Sequence, residues 1–279
     1  MTCAQNGYYF GFNNLCLRED GFAMLKLACV QLSSTSNVAA NLRQIERLVR
    51  EATSRGAGLI ALPQAAEFMA REPQDYVRHA AAADGSTLRF LSDLSRDLGC
   101  WLAVGSLSLR ADDGKIANRS HLFDPAGTLS AIYDKIHLFD VTLPNGQSHR
   151  ESEIYTAGEE AVLAATPWGK LGLSICYDVR FPLLYRRLAQ AGARILFIPA
   201  AFTRLTGDLH WETLIRARAI ETGCYVVAAA QCGDHGGGLQ SHGHSLIVDP
   251  WGRVLGDAGE EVGIVLAEIQ RSTGSSSWK

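Results

Sequence analysis

The sequence predicts an α/β (α+β) fold built from layered, mixed sheets, and three observations support this. Apolar, strand-like runs alternate with amphipathic, helix-like segments along most of the chain. Two segments with alternating apolar positions flank hairpin-type turns, which adds antiparallel pairs to the parallel strands expected from strand–helix alternation. No linker rich in Pro, Gly or Ser interrupts residues 24–270, so we expect one domain there.

The first half of the chain is predicted to contain a strand, a helix, a strand, a helix and a strand. Leu42, Ile45 and Leu48 form an apolar face with helical spacing on the first helix, and Gly56 follows its end. Pro63 stops the second strand. The predicted ranges, in order, are 25–32, 37–55, 59–62, 86–98 and 101–106.

The second half combines hairpins with further strands and helices. Asp124-Pro-Ala-Gly127 and Asp249-Pro-Trp-Gly252 are predicted hairpin turns. Strands are predicted at 169–176, 195–201 and 225–231, with helices at 182–191 and 210–223. Residues 233–238 are rich in glycine but do not lie between a strand and a helix, so they are weak evidence for nucleotide binding.

The composition excludes several classes of protein. The chain has 279 residues, 47% of them hydrophobic and 20% charged, as in ordinary globular proteins. The net charge is −3 and no long run carries one sign, so neither a nucleic-acid nor a membrane-surface partner is expected. No apolar stretch reaches the length of a membrane span.

The cysteine pattern argues against both disulfides and a structural metal. The seven cysteines are odd in number, are scattered, and include no CxxC pair. A reducing, cytoplasmic setting is therefore expected, with no metal and no cofactor.

The two ends of the chain differ from the rest. Residues 1–23 lack the features of a signal peptide and are predicted to be an extension. Residues 271–279, which are rich in serine, are predicted to be a flexible tail.

Cys176 is the most informative single residue. It ends an apolar run and is followed by Tyr177 and Asp178, and helix-forming sequence begins at Pro182. A thiol at such a strand-to-helix turn can feel the positive end of the helix, which would lower its pKa and favour the nucleophilic thiolate. The alternative is a cysteine that merely fills space in the core.

Two other polar sites stand at predicted strand ends. Gln64 follows Leu62-Pro63, and Lys135 lies within Tyr133-Asp-Lys-Ile-His-Leu-Phe-Asp140. Apolar residues and a turn flank Lys135 closely, which predicts a partly buried position. A buried cation needs a charged partner or a substrate charge to face.

These blocks resemble the nitrilase superfamily of carbon–nitrogen hydrolases. The lysine block and Gly172-Leu-Ser-Ile-Cys176-Tyr-Asp-Val-Arg180-Phe-Pro182 match two of its three triad blocks. The segments 201–221, 224–233 and 243–252 resemble its Nit branch of amidases, most of all the deaminated-glutathione amidases. The related ω-amidases, which hydrolyse α-ketoglutaramate, usually differ in the second and third of these segments.

The resemblance implies a fold, an assembly and a set of site residues. The fold is a four-layer α-β-β-α sandwich, the assembly a homodimer, and the substrate a small-molecule amide, with no cofactor. The family triad is Glu–Lys–Cys, in which Cys176 attacks the amide carbonyl. Lys135 and the backbone N–H after the cysteine stabilise the oxyanion. Substrate contacts are implied for Tyr177, Arg180, Phe202 and Thr203.

Gln64 departs from the family pattern, because the first block of the family reads Leu-Pro-Glu. Glutamine has nearly the shape of glutamate but cannot take up a proton near neutral pH. The general base is therefore missing, and activity is expected to be impaired unless another group replaces it. Glu151 is the candidate substitute, since the family carries a second active-site glutamate there. Glu67 aligns with an acidic position outside the triad.

Three functions remain open at this point. The first is a small-molecule amidase, which Lys135, Cys176 and Glu151 favour. The second is a non-catalytic binding protein on the same scaffold, which Gln64 favours. The third and weakest is a thiol hydrolase that pairs cysteine with histidine. Its candidate bases are His137, His210, His242 and His244.

Overall fold

The computed structural model of this chain describes residues 24–143, 146 and 148–270. The predictions of an extension at residues 1–23 and of a tail at residues 271–279 lie outside the described residues. The helices are α1 (Val38–Ser54), α2 (Pro73–Ala82), α3 (Ser86–Leu98), α4 (Pro182–Gln190) and α5 (Arg204–Thr222), with short 3₁₀ helices at Glu151–Glu153 and Cys176–Arg180.

The four longest strands have eight to ten residues, and all four belong to one sheet. In chain order they are β1 (Met24–Gln31), β2 (Leu59–Ala61), β3 (Trp101–Arg110), β4 (Ile116–Phe123), β5 (Leu129–Asp134), β6 (Asp140–Thr142), β7 (Ser148–Arg150), β8 (Tyr155–Thr156), β9 (Leu163–Thr166), β10 (Gly169–Leu173), β11 (Ala193–Phe197), β12 (Tyr225–Ala228), β13 (Cys232–Asp234), β14 (Gln240–His242), β15 (Leu246–Val248), β16 (Val254–Asp257) and β17 (Gly263–Gln270).

Two mixed sheets share one design. The first has the order β17-β1-β2-β3-β4-β5, with β8 beside β4, and the second has the order β16-β15-β12-β11-β10-β9. Each has three neighbouring parallel strands, β1–β2–β3 in one sheet and β10–β11–β12 in the other, flanked by antiparallel strands. The prediction of an α/β fold with mixed sheets is confirmed.

Strand β1 shows how the sequence produces layers. Leu27 and Cys29 belong to the core between the two sheets, whereas Ala28 and Val30 belong to a second core under α1 and α3. The alternation follows from the two-residue period of a strand, and both faces are apolar because both are covered. Helices α4 and α5 cover the outer face of the second sheet. The resulting order of layers is α-β-β-α, as the resemblance implies.

Both predicted hairpin turns form, and both use the same side-chain device. Asp124 Oδ1 accepts hydrogen bonds from the N–H groups of Ala126 and Thr128, each at 2.9 Å. Asp249 Oδ1 accepts from Trp251 N–H at 2.9 Å and from Arg253 N–H at 2.8 Å. An aspartate that opens a turn in this way replaces backbone hydrogen bonds that the turn cannot make.

Helix α5 starts at Arg204, six residues before the predicted 210. Gly207 obscured this start, because glycine lowers helix propensity. The structure explains the glycine: a Cβ at position 207 would lie 2.3 Å from Cβ of His242. Only glycine lets the helix approach β14 so closely. Helix α2 was not predicted, and β3 extends four residues beyond the predicted 106.

The described cysteines are all free thiols. They are Cys29, Cys100, Cys176, Cys224 and Cys232, and all are buried. Within residues 24–143, 146 and 148–270, no group of three or more His, Cys, Asp or Glu side chains could hold a metal ion. No described helix combines the length and apolarity needed to cross a membrane.

Candidate active site

The four predicted catalytic residues meet at one cavity of about 490 Å³. Gln64 comes shortly after β2, Lys135 directly after β5, and Cys176 shortly after β10; Glu151 begins the 3₁₀ helix after β7. All four side chains line this cavity. Segments that directly follow strands therefore bring together residues that lie up to 112 positions apart in the sequence.

Cys176 is held in an uncommon backbone conformation. Its φ is +50°, in the left-handed region that L-residues with a Cβ rarely adopt. Its N–H donates to the carbonyl of Pro199 at 2.8 Å, and it is the first residue of a 3₁₀ helix. Such conformations persist only where surrounding contacts enforce them, and they concentrate at functional sites.

Asp178 ties the turn of the nucleophile to the lysine block. The carboxylate is fully buried, and its Oδ2 accepts from Tyr133 OH at 2.6 Å and from Ile175 N–H at 2.8 Å. Its Oδ1 lies 3.0 Å from the N–H of His137 and 2.7 Å from His137 Nδ1. Since Tyr133 and His137 flank Lys135 in sequence, one carboxylate positions both blocks. The sequence reasoning gave this aspartate no role.

Lys135 and Glu151 form a buried ion pair. Nζ of Lys135 lies 2.5 Å from Oε2 of Glu151, and the two side chains are 1% and 12% exposed. Glu151 also accepts from Phe139 N–H at 2.6 Å and from Asn118 Nδ2 at 3.0 Å. Three donors on one carboxylate compensate for its removal from water. Lys135 is thus more deeply buried than predicted.

The electrostatics of Cys176 differ from the expectation. Burial raises the pKa of its thiol above the usual value, although the positive charge of Lys135 and a hydrogen bond from Ala201 N–H oppose the rise. The sequence had predicted a lowered pKa from a helix end, but only a short 3₁₀ helix starts at the cysteine. Burial lowers the pKa of Lys135, but the opposing effects, led by the negative charge of Glu151, make the net direction upward.

Gln64 lies beside the nucleophile. Its Oε1 accepts from Ala201 N–H at 3.0 Å, and the same N–H interacts with Cys176. The Gln64 backbone is fixed by Gln231, whose Nε2 donates to the Gln64 carbonyl at 3.0 Å and to the Ala65 carbonyl at 3.2 Å. Position 64 is therefore occupied by a neutral amide whose oxygen is held by Ala201 N–H and whose backbone is held by Gln231.

Three of the four predicted substrate contacts line the cavity, namely Tyr177, Phe202 and Thr203. Arg180 does not. Its guanidinium lies 5.9 Å from the ring centroid of Tyr177 and 5.3 Å from that of Phe202. Arg180 therefore supports the aromatic wall from outside the cavity, and a direct contact between Arg180 and substrate stays a prediction.

The four histidines proposed as alternative bases are engaged elsewhere. Each has a ring nitrogen within hydrogen-bond distance of another side chain: His137 of Asp178, His210 of Arg180, His242 of Asp208 and His244 of Asp257. None of the four lines the cavity. These contacts favour structural roles and give no support to a cysteine–histidine hydrolase.

Sequence reasoning missed the residues at the cavity rim. Arg71, His149 and Arg150 line the cavity, as do Gly237 and Gly238 from the turn between β13 and β14. Arg71 Nη1 donates to the Gly237 carbonyl at 2.7 Å across 166 residues of sequence. The glycine-rich segment was the available signal, but its place over the cavity depends on a long-range contact.

Comparisons with known proteins agree with this site. The family model for carbon-nitrogen hydrolases matches residues 26–277. The deaminated glutathione amidase of Rattus norvegicus is 46% identical over 249 residues, which cover 87% of this chain and 76% of the relative. Among solved structures, the Caenorhabditis elegans NitFhit protein has a TM-score of 0.84 and 39% identity, and the match covers 88% of this chain and 60% of that one.

A third match bears on the chemistry. It is a variant of the amidase from Nesterenkonia sp. AN1, with a TM-score of 0.78 and 27% identity, covering 88% of this chain and 90% of that one. In that structure the active-site cysteine carries the acetamide moiety of fluoroacetamide. This chain belongs to the carbon–nitrogen hydrolase family. Within that family it is an amidase-type hydrolase, as its amidase-named relatives show.

Proposed function

We propose that this protein hydrolyses the ω-amide of a small carboxylate substrate such as deaminated glutathione, through an acyl-enzyme on Cys176. One observation carries the proposal: the Cys176 thiol shares a cavity with Lys135, an almost fully buried cation that acts electrostatically on it. The names of the amidase relatives support the substrate.

Acylation uses the thiol and two donors. The Cys176 sulfur attacks the amide carbonyl carbon, and Lys135 Nζ with the Tyr177 N–H stabilises the oxyanion that forms. Collapse of this intermediate makes a thioester and breaks the C–N bond, and the leaving nitrogen takes the proton that the thiol lost. Water then attacks the thioester carbon, which releases the acid and restores the thiol.

Gln64 makes both proton transfers slow. A group beside the sulfur must take the thiol proton and later a proton from water, and an amide cannot do so. Loss of a positioned general base typically costs about 10²- to 10⁴-fold in rate. We therefore propose that this chain forms the acyl-enzyme and turns over, but slowly.

Glu151 is better suited to hold Lys135 than to replace the base. Its carboxylate already accepts hydrogen bonds from Lys135, Phe139 and Asn118. Taking up a proton would weaken the contacts that compensate for its burial. We propose that Glu151 positions the lysine and supplies the countercharge, while Cys176 and Lys135 contact substrate.

The cavity rim supports an anionic substrate. Arg71 and Arg150 line it, whereas Glu151 is the only carboxylate among the described lining residues. Cationic groups around a cleft raise the local concentration of anions. Deaminated glutathione and the shorter α-ketoglutaramate both carry carboxylates, and no observation favours the shorter compound.

A binding protein without turnover is the second candidate, and the neutral Gln64 is the observation that favours it. The same assay separates the two functions. Purified protein is incubated with deaminated glutathione and with α-ketoglutaramate, and release of 2-oxoglutarate is followed beside a Cys176→Ser control. We expect slow release and a trapped thioester by mass spectrometry in the native chain alone. No release and no adduct from either amide would overturn the hydrolase proposal.

We also infer a homodimer that forms through the helices on the second sheet. Large apolar side chains are exposed there: Leu183 is 58% exposed, Leu209 70% and Ile220 51%. Light scattering at micromolar concentration tests this, and a monomer would count against it. The buried free thiols support the proposal of a reducing, cytoplasmic setting.

A further inference from the structure

The amide of Gln64 presents a hydrogen-bond donor to the cavity. A backbone N–H can only donate, so the Gln64 atom 3.0 Å from Ala201 N–H must be Oε1. The other amide atom, Nε2, therefore carries two N–H groups toward the cavity that Gln64 lines. Among the described residues no acceptor takes either of them. A glutamate in the same place would present an acceptor.

The ammonium group of Lys135 also has N–H donors without a described acceptor. An ammonium group has three N–H donors. One of them serves Glu151 Oε2 at 2.5 Å, and no second acceptor within the described residues takes the others. The Glu151 carboxylate, in turn, is occupied by three donors. The floor of the cavity thus combines the free N–H donors of Gln64 and Lys135 with the negative charge of Glu151, which Lys135 already compensates.

The charge balance at this floor depends on position 64. With Gln64, the charges of Lys135 and Glu151 cancel, so a carboxylate placed over Cys176 meets no uncompensated negative charge. A glutamate at position 64 would add one negative charge next to the sulfur. Since like charges repel strongly in a buried site, that charge would expel an acid product.

We propose that the catalytic cavity of this chain is a carboxylate-binding site that retains an acid product instead of expelling it. The ligand is a short 2-oxo-dicarboxylate, whose ω-carboxylate accepts hydrogen bonds from Gln64 Nε2 and Lys135 Nζ. The inference rests on the proposed function in one respect, namely that hydrolysis of an ω-amide leaves a carboxylate at this place.

Calorimetric titration with 2-oxoglutarate tests the proposal on the native chain and on Gln64→Glu at pH 7.5. The two side chains have the same shape, so the comparison isolates the charge and the donor. We expect the dissociation constant to be at least about 10-fold larger for Gln64→Glu. Equal affinity, tighter binding by Gln64→Glu, or no binding by the native chain would each overturn the proposal.

Gln64→Met separates the donor from the charge. Methionine removes the N–H groups without adding a charge, so we expect binding about 3-fold or more weaker than native but tighter than for Gln64→Glu. If circular dichroism shows that Gln64→Glu does not fold, Gln64→Met alone tests the proposal, and native-like affinity of Gln64→Met for 2-oxoglutarate would overturn it.

The matched control is binding of α-ketoglutaramate, whose ω-amide is uncharged, measured in the Cys176→Ser background. Substitution at position 64 should change this affinity less than 3-fold.

The binding and turnover outcomes can be told apart. If the native chain hydrolyses amides but binds 2-oxoglutarate no better than Gln64→Glu, the proposed function stands and the carboxylate site does not. If no amide is hydrolysed and the affinity difference is present, the carboxylate site stands and the hydrolase proposal falls.

Discussion

The two sides of the catalytic cavity differ in how completely their polar side chains are paired. On one side, both oxygens of Glu151 are occupied by donors from Lys135, Phe139 and Asn118. On the other side, Gln64 makes one side-chain hydrogen bond, to Ala201 N–H, and its amino group has no described acceptor. The paired side holds the charges of Lys135 and Glu151 in place. On the unpaired side, the amino group of Gln64 is available to a ligand, and a carboxylate at position 64 would be available to a proton.

This comparison predicts different costs for the two sides. Changes on the paired side remove a partner from a buried charge, so they should damage both stability and turnover. Changes at Gln64 break one neutral hydrogen bond at most, so they should act on chemistry and ligand affinity with little effect on folding.

The largest effect is expected from Lys135→Met. It removes the oxyanion donor and leaves the Glu151 carboxylate buried without its ion partner. We expect turnover to fall by about 10³-fold, the upper end of the range for loss of one oxyanion donor, and the free energy of unfolding to drop by about 3 kcal/mol. Urea denaturation and 2-oxoglutarate release measure the two effects.

The matched control is the double variant Lys135→Met with Glu151→Gln, which neutralises the stranded carboxylate. Stability should largely return, and turnover should not. If the single variant is as stable as the native chain, the ion pair does not hold this side of the cavity.

Glu151→Gln should lower turnover by about 10²-fold, because Lys135 loses the partner that positions it toward the oxyanion, and should make the thiol more reactive. The negative charge of Glu151 raises the pKa of Cys176, so its removal lowers that pKa and increases the thiolate fraction at pH 7. Iodoacetamide alkylation measures thiolate, and its rate should rise with pH in the native chain toward a pKa above the usual thiol range. Slower alkylation of the variant would identify Glu151 as the substitute base.

Asn118→Ala removes one of the three donors to Glu151, at 3.0 Å. Loss of a hydrogen bond to a charged group is worth about 1.5–3 kcal/mol. Since two donors remain, we expect the free energy of unfolding to fall by about 1.5 kcal/mol, the lower end of that range, and turnover to fall less than in Glu151→Gln. The KM for deaminated glutathione should stay within about 2-fold, because the side chain acts through Glu151. A large rise in KM with unchanged kcat would show instead that Asn118 binds substrate.

Glu67 is a third buried acid, after Glu151 and Asp178, and one of its carboxylate oxygens has no hydrogen-bond donor. Its Oε1 lies 3.2 Å from His79 Nε2, and its Oε2 has no hydrogen-bond partner. Burial raises the pKa of Glu67, with the contact to His79 opposing the rise. A native-state pKa above the unfolded value means that stability is complete below the unfolded pKa and is lost as pH rises toward the folded pKa.

We therefore expect Glu67→Gln to gain stability relative to the native chain as pH rises from 5 to 8. Thermal unfolding at both pH values measures it, and turnover should be unchanged. A stability difference that shrinks with rising pH would contradict the assignment of Glu67 as an acid that resists ionisation.

Local patterns were enough to predict much of the fold. Helix α3 has the predicted bounds, because an amphipathic run ends at Gly99. Both hairpins form at aspartate-led turns whose hydrogen bonds lie within five residues. The three blocks of polar residues meet in one cavity, and each comes directly or shortly after a strand. In all these cases the deciding interactions are close in sequence or set by periodicity.

Long-range contacts decided what the sequence could not predict. The start of α5 depends on the packing of Gly207 against His242, and the rim position of Gly237 depends on Arg71. Asp178 gains its role only when β5 and β10 bring its four donors together. The raised pKa of Cys176 is caused by burial, and the local sequence pattern does not predict how deeply the thiol is buried.

Steady-state turnover of Gln64→Glu beside the native chain tests most directly whether position 64 limits catalysis. A carboxylate at position 64 should supply the missing base, so kcat for deaminated glutathione should rise by about 10²-fold or more. The thiol of the same variant should alkylate more slowly, because a new negative charge raises its pKa. An unchanged kcat in a correctly folded variant would contradict the claim that Gln64 limits catalysis.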